Sequence, residues 1–229
     1  MRILSIGKIL EQKDLTITSV TLNDFYMLDM QTLKNYDYFI IHGGDGSIRR
    51  VLKHIHTFKK LPTIILNPTG SFNVIAKMNR VPKIKTVLET LSKKQIPQTK
   101  TQNIYHLNEE IFLFSAGNMG DLQHILVSEN LRFGMLKQGI LKYILAILFL
   151  LPMHLIVTPF MLLSSRRFFI FTPISFIARF GSFYGKIKKD IRIDLQNEYN
   201  LIELDGDIVT IEASILEIGL ISNVQIVYS

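Results

Sequence analysis

The sequence predicts an α/β N-terminal domain built on a parallel sheet, followed by a β-rich, sandwich-like C-terminal domain. Three observations carry that prediction. Two strand–turn–helix units follow one another early in the chain, and period-two alternation marks its last third. A length of 229 residues also falls between one large domain and two small ones, at a prior of roughly 150 residues per domain. The expected boundary lies near residue 105, giving domains over 1–105 and 106–229.

The first unit opens with Tyr36–His42 (YDYFIIH), a short apolar run of strand character, followed directly by GGDGS. After Ser47, the residues Ile48, Val51, Leu52 and Ile55 fall at i, i+3, i+4 and i+7, one face of a helix that Ser47 is placed to cap. The pattern recurs. Thr63–Asn67 (TIILN) reads as a strand, Pro68–Ser71 as a turn, and Asn73–Met78 as a helix start. Consecutive units of this kind put their loops at the C-terminal ends of parallel strands, the usual place for a ligand. Further on, Ile111–Ala116 is a strand candidate ending in a turn over Gly117–Gly120. Ile191, Ile193 and Leu195 alternate with Arg192 and Asp194, and Val209, Ile211, Ala213 and Ile215 alternate with Thr210, Glu212 and Ser214. Both read as half-buried, antiparallel strands.

From Tyr143 to Ser165 there are 23 residues without Asp, Glu, Lys or Arg. That would suffice to cross a bilayer, which needs ~20 apolar residues, but Pro152, Pro159 and His154 would split it into shorter pieces. A buried core or acyl-chain pocket, insertion at a membrane surface and a true span all remain open. Phe168, Phe169, Phe171, Phe176, Phe180, Phe183 and Tyr184 follow among basic residues, a mixture suited to a headgroup layer. Single-stranded nucleic acid is ranked lower, because the neighbouring run is aliphatic. The expectation is no nucleic-acid partner.

With 48% hydrophobic and 20% charged residues and a mean hydropathy of +0.25, the chain is too apolar for intrinsic disorder. It has no cysteine, which excludes disulfides, thiolate zinc sites and a cysteine nucleophile. A cytoplasmic location, peripheral at a membrane, is the expectation; the N-terminal MRILSIGKIL is interrupted by Lys8 and does not read as a signal peptide. The net charge of +7 is unevenly spread: residues 166–192 hold seven Lys/Arg against Asp190 alone, and 193–229 hold seven acids and no Lys or Arg. A surface facing anions, next to a region able to hold a cation, is one reading; two ordinary solvated faces is the other.

The sharpest local signal is Gly43, Gly44, Asp45, Gly46 and Ser47 between a strand and a helix. Three glycines let backbone N–H groups approach a phosphate, the helix start adds favourable partial charge, and Asp45 can organise a magnesium ion. A plain tight turn is the alternative. The chain has neither a GxxxxGK[ST] loop nor GxGxxG. Among its six histidines there is no HExxH, and His54 and His56 point to different helix faces. Gly181–Gly185 reads as a glycine-bounded turn, its serine being misplaced for a nucleophile elbow.

These residues resemble the diacylglycerol kinase catalytic domain family, which includes bacterial lipid kinases and sphingosine kinases and is related to NAD kinases. Gly43–Ser47 match its GGDGT motif. Pro68, Gly70, Ser71, Asn73 and Ala76 match in part its PxGTGNxxA motif, and Asp205, Gly206 and Asp207 its DGE motif. The resemblance implies ATP and magnesium as cofactors, a nucleotide-binding role for 1–105, and a lipid or other substrate domain in 106–229. By position it places Gly43, Gly44, Asp45, Gly46 and Ser47 on phosphates, and Gly70, Ser71 and Asn73 on nucleotide. Asp45 and Asp205 would support metal, and Asp207 would stand as the general base on a lipid hydroxyl.

The chain departs from the family at Arg50, where a glutamate is usual, at Phe72 for glycine, at Val74 for aspartate, at Ser47 for threonine and at Asp207 for glutamate. The resemblance is poor from about residue 125 to 185. The expected function is an ATP-dependent kinase of a diacylglycerol-like lipid hydroxyl at a membrane surface. A non-catalytic lipid-binding homologue with a degraded nucleotide site is the alternative, and a kinase of a soluble substrate the third reading. The oligomeric state is not legible.

Overall fold

In the computed structural model, which describes residues 1–118, 148, 159 and 162–229, the chain divides into two units. One is Met1–Ile104 with Ile221–Ser229, the other Tyr105–Leu220. Most of the apolar run at 143–165 lies outside the described residues, as does Gly120. Among the described residues no helix is long and apolar enough to cross a membrane.

In the first unit, β1 (Ile3–Ile6), β2 (Ile17–Val20), β3 (Tyr38–Gly43) and β4 (Thr63–Pro68) pair in parallel in the order β2-β1-β3-β4. β1 is buried throughout, and so are Phe39–Ile41 and Ile64–Leu66, as strands covered on both faces require. Parallel neighbours need crossovers. α1 (Leu22–Met27) and α2 (Met30–Leu33) lie between β2 and β3, with Thr21 and Asp29 accepting hydrogen bonds from the first-turn amides. α3 (Asp45–Ile55) links β3 to β4 and buries Ile48, Val51, Leu52 and Ile55. After α4 (Val74–Met78) comes α5 (Ile84–Ser92), whose Val87, Leu88 and Leu91 share a core with Ile3, Ile40, Ile65 and Val227.

The α3 face is the one its spacing predicts, but its start is not. The helix begins at Asp45 with Gly44 at the N-cap, and Ser47 lies inside the first turn, its N–H bonded to the Gly44 carbonyl at 3.0 Å. The helix leaves the strand without a spacer, so Ser47 comes too late to cap it.

The chain enters the second unit within β5 (Thr99–Leu107). There β6 (Glu110–Phe112), β7 (Ser115–Gly117), β8 (Phe169–Phe171), β9 (Arg179–Phe180), β10 (Phe183–Tyr184), β11 (Ile191–Asp194), β12 (Tyr199–Leu204), β13 (Asp207–Glu212) and β14 (Ile215–Val227) follow. One sheet runs β13-β12-β7-β8-β10-β9. β6 pairs with the end of β5, and β11 with the start of β14, in the other. Phe112, Ile193, Leu216 and Ile218 from the latter meet Ala116, Ile170, Tyr184, Ile202 and Leu204 in one core, the mark of a sandwich. The α/β and β-rich classes are those the patterns predict.

Three details differ from the sequence reading. Ile111–Ala116 is not one strand but two, β6 and β7, broken at Leu113 and Phe114. Gly117 is the last residue of β7, paired with Glu203 and Phe169, rather than a turn residue. The alternation over 209–215 spans the end of β13 and the start of β14, whose tail returns to the first unit and pairs with β4 at Ile226 and Ile64.

Phe39 is fully buried and meets Phe25 edge-to-face at 6.0 Å. Phe39→Ala is expected to destabilise the first unit by about 3–5 kcal/mol. The urea midpoint read by circular dichroism checks it.

Candidate functional site

The C-terminal ends of β3 and β4 bring two glycine-containing loops into contact. A methyl group built on Gly70 would lie 2.7 Å from the Gly44 Cα and 2.9 Å from Asn73 Oδ1, closer than real Cβ atoms come. Position 70 therefore requires glycine, while a methyl on Gly44 would sit tightly, 3.2 Å from the Gly70 Cα. The Thr69 amide bonds to the Gly43 carbonyl at 3.1 Å. Asn73, in the left-handed region at φ 50°, turns its side chain back onto Gly70, accepting from its N–H at 3.0 Å and donating to its carbonyl at 2.6 Å. That leaves the start of α4 without its own cap. Asp45 supplies one from the next loop, its carboxylate accepting from the amides of Val74 at 2.8 Å and Ile75 at 3.0 Å. Asp45 is buried, so its charge is held by amides and by the first turns of α3 and α4.

The structure therefore brings Gly43, Gly44, Asp45, Gly46, Ser47, Gly70, Ser71 and Asn73 together at one edge of the first sheet. Ser71 lies exposed in the second loop. Two of the substituted positions take part in hydrogen bonds here. Arg50 Nε donates to the Gly46 carbonyl at 3.2 Å, and Val74 contributes its backbone N–H.

Below these loops sits a polar relay that the sequence reading passed over. His42, the last residue before the two glycines, faces Asn67 across the β3–β4 register. Asn67 Nδ2 donates to His42 Nδ1 at 2.7 Å, which puts the ring proton on Nε2. His42 Nε2 meets Ser5 Oγ at 3.0 Å, and Ser5 Oγ donates to the Lys8 carbonyl at 2.8 Å. The relay ties the ends of β1, β3 and β4. Burial, and secondarily the Lys8 charge, hold the His42 pKa below its ordinary value. The signal available in the sequence is that His42 and Asn67 each end an apolar strand just before a glycine-containing turn.

Asp205 and Asp207 belong to the second unit, where Asp205 and Gly206, at φ 52° and 89°, form the two-residue turn between β12 and β13. Two positive φ angles are what a tight hairpin demands. Asp205 is nonetheless 3% exposed. Its carboxylate accepts from the amides of Leu113 at 2.7 Å, Phe114 at 2.9 Å and Ser115 at 3.0 Å. Leu113 and Phe114 have left the strand ladder, and there β6 and β7 separate. Glu203, also buried and absent from the sequence reading, accepts from Ser115 Oγ at 2.9 Å and from the Gly206 amide. Asp207 is half-buried at the start of β13, opposite Leu204.

Asp45 and Asp205, expected as metal supports, are thus both seen holding backbone amides. Among the described residues no group of three His, Asp or Glu side chains is placed to hold a metal ion.

Residues 7–104 match the family model described as the diacylglycerol kinase catalytic domain. The match takes in both glycine loops and leaves Asp205 and Asp207 outside it. A curated protein of Streptococcus pneumoniae serotype 4, named "Putative lipid kinase", is 22% identical over 133 residues; the match covers 57% of this chain and 45% of that protein. The chain thus spans under half the length of that relative. Two solved structures from Bacillus anthracis str. Sterne share the fold. One, described as "a putative diacylglycerol kinase", has a TM-score of 0.58 at 13% identity and covers 100% of this chain and 97% of its own. The other, described as a diacylglycerol kinase, has a TM-score of 0.53 at 13% identity, covering 100% and 96%.

Gly70→Ala forces the two loops apart and is expected to cost about 1–3 kcal/mol of stability, as overpacking does; a denaturant titration reads it. The His42 relay adds a pH dependence. Because the folded pKa lies below the ordinary 6.5, the relay's contribution is complete above that value and is lost as pH falls through the folded pKa. Melting curves at about pH 7.5 and about pH 5.5 should show a larger drop for the native chain than for His42→Gln, which does not titrate.

Proposed function

We propose that the chain, whose residues 7–104 match the diacylglycerol kinase catalytic domain model, is an ATP-dependent kinase whose acceptor is a lipid hydroxyl of the diacylglycerol type. The observation that carries this reading is the Gly44–Gly70 approach, capped by Asp45, at the C-terminal edge of parallel strands. A loop pair of this kind exposes backbone amides where no side chain stands in the way, beside the start of an 11-residue helix. Phosphate oxygens are the ligands that suit such amides.

In this reading Gly43, Gly44, Gly46 and Ser47 bind the phosphates of ATP, and Ser71 and Asn73 contact the nucleotide. Asp45 positions both loops through α4. Asp207 accepts the proton of the lipid hydroxyl as that oxygen forms a bond to the γ-phosphorus. The bond from the γ-phosphorus to the bridging oxygen breaks, and ADP leaves with the electron pair. Magnesium, which ordinarily travels with nucleotide phosphates and keeps much of its water, neutralises phosphate charge when bound.

Labelled ATP with magnesium, incubated with vesicles carrying diacylglycerol, ceramide, sphingosine and glycerophospholipids, tests the proposal. The expected result is labelled lipid, reduced about 10²–10⁴-fold in Asp207→Ala, the range for loss of a general base. Label on a soluble acceptor alone would move the reading to a soluble-substrate kinase. Binding of vesicles without any transfer would move it to a non-catalytic lipid-binding protein.

A further inference from the structure

Beside the glycine hairpin of the second unit, large apolar side chains stand in water. Phe176 is 85% exposed, Phe180 66%, Leu163 85% and Ile177 37%. They are held close to one another by backbone contacts. β9 and β10 form a hairpin in which Phe180 pairs with Phe183 and Arg179 with Tyr184. The amide of Ser182, in the turn of that hairpin, donates to the Leu162 carbonyl at 2.9 Å, and Ser182 Oγ donates to the same carbonyl at 3.0 Å. The segment bearing Leu163 is thus fastened to the turn that follows Phe180. On the other side, a methyl built on Gly185 would strike the carbonyls of Ile174 and Ile177, so the loop bearing Phe176 is pressed against the end of β10.

Among the described residues, β9 is also the outermost strand of its sheet. An exposed edge with apolar side chains is a hazard unless it is guarded or used. Arg179 stands on that edge, its Nε donating to the Gly181 carbonyl at 3.1 Å and its guanidinium 4.9 Å from the Tyr184 ring centre. From Leu162 to Arg192 the sequence has seven Lys/Arg and one acid, Asp190.

We propose that this edge is a docking surface for an anionic lipid bilayer. Phe176, Phe180 and Leu163 enter the boundary between headgroups and acyl chains, while Arg179 and its basic neighbours meet lipid phosphates. Charge selects this occupant. A second copy of the chain would bring the same positive charge against it, whereas an acidic headgroup layer complements it. A nucleic acid would find aromatic faces but no use for Leu163 and Ile177, which have no ring to stack on. The inference goes beyond phosphate transfer and holds whether or not the chain is catalytic.

The chain contains no tryptophan, so Phe180→Trp gives a single reporter in the full-length protein. With phosphatidylglycerol–phosphatidylcholine vesicles its emission should shift to the blue, be quenched by brominated acyl chains, and revert as salt is added. Pure phosphatidylcholine should bind at least roughly tenfold more weakly, and so should anionic vesicles to the Phe176→Ser/Phe180→Ser variant. Both side chains are exposed, so that variant should keep the native circular dichroism and melting point. An emission already blue-shifted without lipid would overturn the proposal, because the edge would then be covered by the chain itself or by another copy. So would a shift given by a single-stranded oligonucleotide and not by vesicles, or vesicle binding unchanged in the double variant. Vesicle binding with no ATP-dependent transfer would sustain the docking surface while removing the kinase reading.

Discussion

The carboxylate of Asp45 is the interaction on which the candidate site depends. It sits at the first residue of α3 and accepts the two amides that open α4, so it fastens one strand–loop–helix unit to the next. Without it, the start of α4 would present unsatisfied buried amides, because Asn73 spends its side chain on Gly70. The close approach of Gly44 and Gly70 follows from the same fastening. A short acidic side chain and two residues without side chains are therefore one device.

The second unit uses the same physics for a different end. Asp205 gathers three amides of Leu113, Phe114 and Ser115, where the chain passes from β6 in one sheet to β7 in the other. A backbone that leaves a ladder inside a core must find acceptors. A carboxylate presents two oxygens in one plane and can serve several amides at once. The hairpin turn at Asp205–Gly206 is what carries that carboxylate inward. Glu203, on β12 two residues before the turn and bonded to Ser115 and to the Gly206 amide, holds the turn in place.

His42, Asn67 and Ser5 show how polar groups are admitted beneath the loops. Each has a partner chosen by geometry, and the chain of donors runs in one direction, from Asn67 through the imidazole and the serine to the Lys8 carbonyl. A relay of this kind specifies spacing between three strand ends more narrowly than apolar contacts do, since its distances are fixed by hydrogen-bond lengths. Its dependence on a neutral imidazole is the cost of that definition.

The sequence by itself determined the order of elements and the apolar faces. Ile48, Val51, Leu52 and Ile55 on one side of α3, and the apolar runs of β3 and β4, are local patterns that hydrophobic burial can satisfy in only one way. The GGDGS and PTGSFN stretches were legible as loops at strand ends because glycine and helix starts are local signals. Tertiary structure decided what those signals serve. Nothing near Asp45 in sequence reveals that its partners are the amides of Val74 and Ile75, and nothing near Asp205 reveals Leu113 to Ser115. The same limit hid the return of Ile221–Ser229 to the first unit and the division of Ile111–Ala116 into two strands. Periodicity reports which face of an element is buried; hydrogen bonds between residues far apart in sequence are set only when the chain has closed around them.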